Sequence, residues 1–249
     1  MMGLDATRVG AVIRKELRDY RRKRAIVATM CVLPLIFLVQ PVVTIFLVSP
    51  TTSGAALQKS LILPILYLLL IPTIMPSTLA AYTVAGEREQ GTLEPLLTTP
   101  LRQQEFILGK ATSVLIPTLA LSYAVFALFL GAVWLFANSD VASAVFADGP
   151  IILALFLLAP LMAGWGIVVG MAVSVRASEV RVAQQLGALA SIPPIGVIIL
   201  LAAGVVSPTF AVAIAFAIGL LVVDVLLLRF VSGMFDRERL VTGAKAVSG

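Results

Sequence analysis

Apolar residues run along this chain in long blocks, without the short alternations of a soluble fold. Six blocks can be read: Ala25–Val48, Leu61–Ala85, Ala111–Ala137, Pro150–Val175, Ala183–Val206 and Thr209–Leu228. Five carry no charge, and the sixth contains Asp224. A helix of about 20 apolar residues crosses a bilayer. Backbone inside hydrocarbon must satisfy its own hydrogen bonds, which leaves helices or a closed barrel. Uniform runs lack the in-and-out alternation of barrel strands. The pattern predicts an all-α integral membrane protein of six transmembrane helices, filling residues 1–249 as one domain.

The segment before the first block is different. Across residues 7–24, Val9, Val12, Ile13, Leu17 and Tyr20 recur at helical spacing, while Arg8, Arg14, Lys15, Arg18, Arg21 and Arg22 occupy much of the rest. A helix with one apolar and one basic face lies flat at the headgroup boundary. A plain positively charged anchor is the other reading. The first block is also too long for the core of a signal peptide.

Composition agrees with the pattern. The chain is 60% hydrophobic and 12% charged, with a mean hydropathy of +1.06. Soluble domains carry about 25% charged residues. The basic residues are lopsided: 17 of 18 fall before the first block, after the second, after the fourth, or at and beyond the end of the sixth. Only Lys59 falls elsewhere. The excess of basic residues on one side places both termini in the cytoplasm. Their partner is an anionic membrane surface and not nucleic acid. A multi-pass protein of the plasma membrane is expected.

Catalytic chemistry finds little support. There is no histidine, and the single cysteine, Cys31, lies inside the first block. The commonest general base and metal ligand is therefore missing. A phosphate-binding loop is missing too. Gly109-Lys110-Ala111 is a fragment of one, but Gln104 stands where a glycine is needed and Ala111 where Ser or Thr is needed. Gly109-Lys110 reads instead as the entrance to the third block. No enzyme activity, cofactor or metal is expected in this chain. The remaining loops, 49–60 and 138–149, are short, and Ser207-Pro208 joins the last two blocks.

The segment 86–106 between the second and third blocks is more elaborate than a linker requires. Gly91 can end a helix. Thr92 is a suitable N-cap, with Glu94 and Pro95 in the first turn. Leu93, Leu96 and Leu97 would share one face. Thr98-Thr99-Pro100 closes the turn, and Gln103, Glu105 and Phe106 restart a helix. A short amphipathic helix across the cytoplasmic face results. It is either a structured linker or a knob for a cytoplasmic partner.

Glu87-Arg88-Glu89, Gly91-Thr92-Leu93-Glu94, Leu96-Leu97, Thr99-Pro100 and Ile107-Leu108-Gly109-Lys110 resemble the signature of the type-2 permease family of ATP-binding-cassette (ABC) exporters. The resemblance extends to the basic interfacial helix, the six spans and the internal termini. It implies that residues 7–24 form a connecting helix, and that the loop is a coupling helix seated in a cleft of a separate cytoplasmic ATPase. Two permease copies, identical or paralogous, would pair. ATP and Mg would be bound by the ATPase, and a drug-like, lipidic or ionic substrate would be moved outward. The coupling residues would be Glu87, Arg88, Glu89, Gly91, Thr92, Leu93, Glu94, Leu96, Leu97 and Pro100. Glu87 and Glu89 are expected to pair with Arg14, Arg18 or Arg21 of the connecting helix. One departure stands out: Ala203–Pro208 leaves little room for the external segment that relatives often carry between spans five and six, unless Pro193-Pro194 breaks span five. Two other classes remain: an ATPase anchor with no substrate path, and a stand-alone secondary transporter. The scarcity of intramembrane acids argues against ion-coupled transport.

Polar and kinked positions inside the blocks are candidates for a translocation path. Gln40 and Thr44 lie in the first, Thr73 and Ser77 in the second among Pro64, Pro72 and Pro76. Gly166 and Gly170 permit close helix approach, inside one chain or between copies. Asp224 either accepts structural hydrogen bonds or pairs with a basic residue, or it binds a cation on the path.

Overall fold

A computed structural model describes residues 5–48, 54–91, 102–177, 179–206 and 209–232. Among these residues the fold is all-α, with ten helices: α1 Ala6–Arg22, α2 Arg24–Phe46, α3 Gly54–Tyr67, α4 Leu70–Glu89, α5 Gln103–Phe136, α6 Ser139–Ala147, α7 Gly149–Arg176, α8 Val180–Leu189, α9 Ile192–Ala202 and α10 Phe210–Ser232. Five stretches are long and apolar enough to cross a membrane: Ala56–Glu89, Gln103–Phe136, Gly149–Arg176, Val180–Ala202 and Phe210–Ser232. Met30–Phe46, within α2, is a shorter apolar helix. The chain is a multi-pass membrane protein.

The helices outrun the apolar blocks at one end. α4 continues through Glu87, Arg88 and Glu89, and α5 begins eight residues before Ala111, at Gln103. Charge does not end a helix; caps do. Gly91, at φ +66°, closes α4 in a left-handed conformation that suits glycine. At the start of α5, Glu105 accepts a hydrogen bond from the Arg102 backbone N–H at 3.0 Å. The segment 138–149, expected as a bare loop, carries the short helix α6. The fifth block is two helices. They part at Ala190 and Ser191, where Pro193 and Pro194 open α9. Prolines fit the first helical turn because their missing N–H has no partner there anyway.

The core is built on α4. Its neighbour α7 approaches through glycines: a Cβ at Gly170 would lie 2.6 Å from the Ser77 carbonyl oxygen, and one at Gly166 would lie 3.0 Å from that of Thr73. The Gly166/Gly170 seam is therefore internal to the chain. α10 lies outermost, packs on α7, and leaves most of its side chains exposed. α1 packs chiefly on the first turns of α5 and also touches α2.

Candidate functional site

The apolar stripe of α1 contains an acid. Val12, Glu16 and Tyr20 follow one another at i, i+4, i+8, and all three are buried. Val12 packs against Gly109 of α5, where a Cβ would come within 2.7 Å of it. This close approach carries Glu16 to Lys110. The Lys110 ammonium lies 3.1 Å from Glu16 Oε1 and 3.1 Å from Glu87 Oε1, and donates to the Thr83 carbonyl at 2.8 Å. It also sits 5.0 Å from the centre of the Phe106 ring. Lys15 completes the node from the water side, 2.7 Å from Glu87 Oε1 and 3.2 Å from Glu16 Oε1.

Lys110 is fully buried, and Glu16 and Glu87 retain only 5% and 7% of their exposure. Buried charges persist only when paired and hydrogen-bonded. Here two lysines and two glutamates from three helices cancel. Burial would raise Glu16, but Lys110 and Lys15 outweigh it and hold the carboxyl below its ordinary value. Burial would lower Lys15, but Glu87 and Glu16 outweigh it and hold the ammonium above its ordinary value. Burial pushes the Tyr20 phenol up; its hydroxyl lies 3.5 Å from Ser113 Oγ.

The next two residues of α4 clamp a different pair of helices. Arg88 donates to the carbonyls of Ala177 at 2.7 Å and Val175 at 3.1 Å, at the C-terminal end of α7. Glu89 accepts from the Val180 N–H at 2.7 Å, at the start of α8. A cation at a helix C-terminus and an anion at an N-terminus both suit the helix dipole. Two residues past Arg88, Gln90 is held by Lys23 at 3.1 Å. At the other end of the loop, Glu105 also accepts from the Asp5 N–H at 3.1 Å, so it ties the start of α5 to the start of α1. Lys15, Lys23, Tyr82 and Gln90 line a polar cavity of about 70 Å³ beside the node.

These contacts correct the expected pairings. Arg14, Arg18 and Arg21 lie on the exposed side of α1, and no ion pair among the described residues includes them. Glu87 meets Lys15 and Lys110 instead, and Glu89 meets a backbone amide. Glu87 and Arg88 point into the chain, because the buried face of α4 continues to its last turn, while Glu89 stays exposed and reaches the start of α8 at the surface. Thr92, Leu93, Glu94, Leu96, Leu97 and Pro100 lie outside the described residues. Of the path candidates, Thr73 and Ser77 are fully buried. Thr73 donates to the Leu69 carbonyl at 2.6 Å, and Ser77 shares a 2.8 Å hydrogen bond with Ser191. They close a helix seam in this conformation. Gln40 donates to Thr44 at 3.2 Å, one turn along α2. Asp224 faces Gly164 of α7.

Sequence reasoning missed Lys15, Glu16 and Lys110 as a unit. A signal was present. Glu16 occupies the apolar stripe between Val12 and Tyr20, and Lys110 abuts an uncharged block. An acid and a base that must both be buried are each other's natural partners.

A family model described as "ABC-2 family transporter protein" matches residues 12–173. No curated protein matches the chain.

Proposed function

With well over half of its length matched, the chain belongs to the ABC-2 transporter family, and from that premise we propose that it is the membrane-spanning subunit of an ABC exporter. In this reading α2 supplies a sixth crossing, both termini are cytoplasmic, and a second copy completes the path in the plasma membrane. A separate ATPase holds the ATP and Mg and docks on the 92–101 segment. The substrate is drug-like, lipidic or ionic, and moves outward.

The observation that carries this reading is the anchoring of both ends of that segment. Glu87 ties the end of α4 to α1 and α5 through Lys15 and Lys110. Arg88 and Glu89 tie it to α7 and α8. A push on the segment therefore reaches four helices through short, direct contacts. A bistable bundle biased by a ligand on another chain needs such a connection. A passive linker does not.

The test is Leu96→Asp and Leu97→Asp in the complete complex. Buried apolar anchors dominate contacts of this kind. Both variants should reach the membrane but release the ATPase or abolish substrate-stimulated ATP hydrolysis. Normal co-purification and normal transport in both would overturn the docking assignment. ATPase retention with no substrate response in the wild-type complex would favour an anchor without a path.

A further inference from the structure

α7 and α10 pack along one another, but part of their shared face is open. A cleft of about 410 Å³ lies between Leu157, Pro160 and Leu161 of α7 and Ile214, Ile218 and Leu221 of α10. The volume falls in the range of small-molecule sites, and the groove is open on its outer side, where Ile214, Ile218 and Leu221 are exposed. These six side chains are all apolar. One turn further along each helix come Gly164 and Asp224. A Cβ at Gly164 would lie 2.8 Å from Asp224 Oδ2, so the missing carbon gives the carboxylate its place. Asp224 Oδ1 is buried and has no hydrogen-bond partner among the described residues. The structural roles expected for this acid, hydrogen bonding or pairing with a basic residue, leave that oxygen unexplained. A carboxylate in a spanning helix is costly unless something answers its charge.

We propose that the cleft binds a hydrophobic cation. The apolar body lies between α7 and α10, and the positive charge lies against Asp224 at the end of the cleft. A neutral lipid chain would fill the cleft but leave the carboxylate unanswered. A second copy of this chain would bring an apolar helix face, with the same defect. That the bound cation is the transported substrate rests on the exporter reading; the site itself does not.

The test uses the full chain in phosphatidylcholine nanodiscs, with tetraphenylphosphonium as the probe and triphenylphosphine oxide as its neutral counterpart. Wild-type protein should bind the cation saturably. Asp224→Asn should weaken that binding at least about tenfold, since one member of a desolvated charge pair is lost. Asp224→Asn should leave the neutral probe unaffected, and Asp224→Glu should keep most of the cation affinity. Leu221→Trp keeps the carboxylate but fills the cleft, and should weaken both probes. If Asp224→Asn fails to fold, Leu221→Trp decides: undiminished cation binding overturns the site. Wild-type affinity in Asp224→Asn also overturns it, as does equal loss of both probes in that variant. Efficient disulfide formation between copies carrying Ile218→Cys and Cys31→Ser would show a copy-to-copy contact instead, and would overturn it as well. Co-purification of the ATPase is measured on the same preparations. Loss of the ATPase with intact cation binding refutes the exporter reading and leaves the site standing.

Discussion

Replacing Lys110 by methionine tests the charged node most directly. Methionine keeps much of the length and apolar stem of lysine but removes its charge. The four charged groups of the node sum to zero, so the variant leaves one net negative charge among groups with 5% and 7% exposure. Removing one partner of a buried pair costs about 3–5 kcal/mol. Lys15 remains 2.7 Å from Glu87 and 3.2 Å from Glu16, which places the cost at the lower end of that range. For a chain of this size each kcal/mol shifts the unfolding temperature by about 2–4 °C, so a fall of roughly 6–12 °C is expected. The assay is the temperature at which half of the detergent-purified protein leaves its monodisperse size-exclusion peak. Lys110→Met with Glu16→Gln restores neutrality and should recover at least about half of the loss, a non-additivity that only coupled groups show. A single variant within about 2 °C of wild type, or a double variant no better than the single, would refute the account.

Two further outcomes follow from the same region. Glu16 is held below its ordinary value of 4.5, so its contribution is complete above pH 4.5 and is lost as pH falls through the folded value. Lys15 is held above 10.5, so its contribution is complete below pH 10.5 and is lost as pH rises through the folded value. Unfolding temperature should be flat in this respect between those limits, and Glu16→Gln should reduce the acid-side fall; an unchanged acid limb would count against the pairing. Gly109→Ala should push α1 off α5, because the added carbon lies 2.7 Å from Val12 Cβ and Cγ1. Overpacking of this kind costs about 1–3 kcal/mol. Trypsin should then cut faster at Arg14 and Arg18, whereas Gly10→Ala, which meets open space, should not accelerate cleavage.

What the sequence determined by itself is local. Block length and hydropathy established a helical membrane protein, because the bilayer accepts so few alternatives. Gly91 marked the end of α4, Glu105 the start of α5, and Pro193-Pro194 the break in the fifth block; each acts within a turn of its own position. The stripe of α1 was legible for the same reason. Tertiary structure alone decided which charges meet. Glu16 and Lys110 are 94 residues apart, and Glu89 and Val180 are 91 apart. Helical periodicity says which side chains share a face, but not which helix covers that face. Arginines and lysines of α1 are equivalent to a charge count, yet Lys15 and Arg8 reach buried carboxylates while Arg14, Arg18 and Arg21 stay exposed. The same limit hid the role of Gly166 and Gly170, whose spacing suits an internal seam or a contact between copies equally well. Packing against α4 chose the seam, and packing of α10 against α7 set Asp224 over Gly164, one turn beyond the residues that line an apolar cleft.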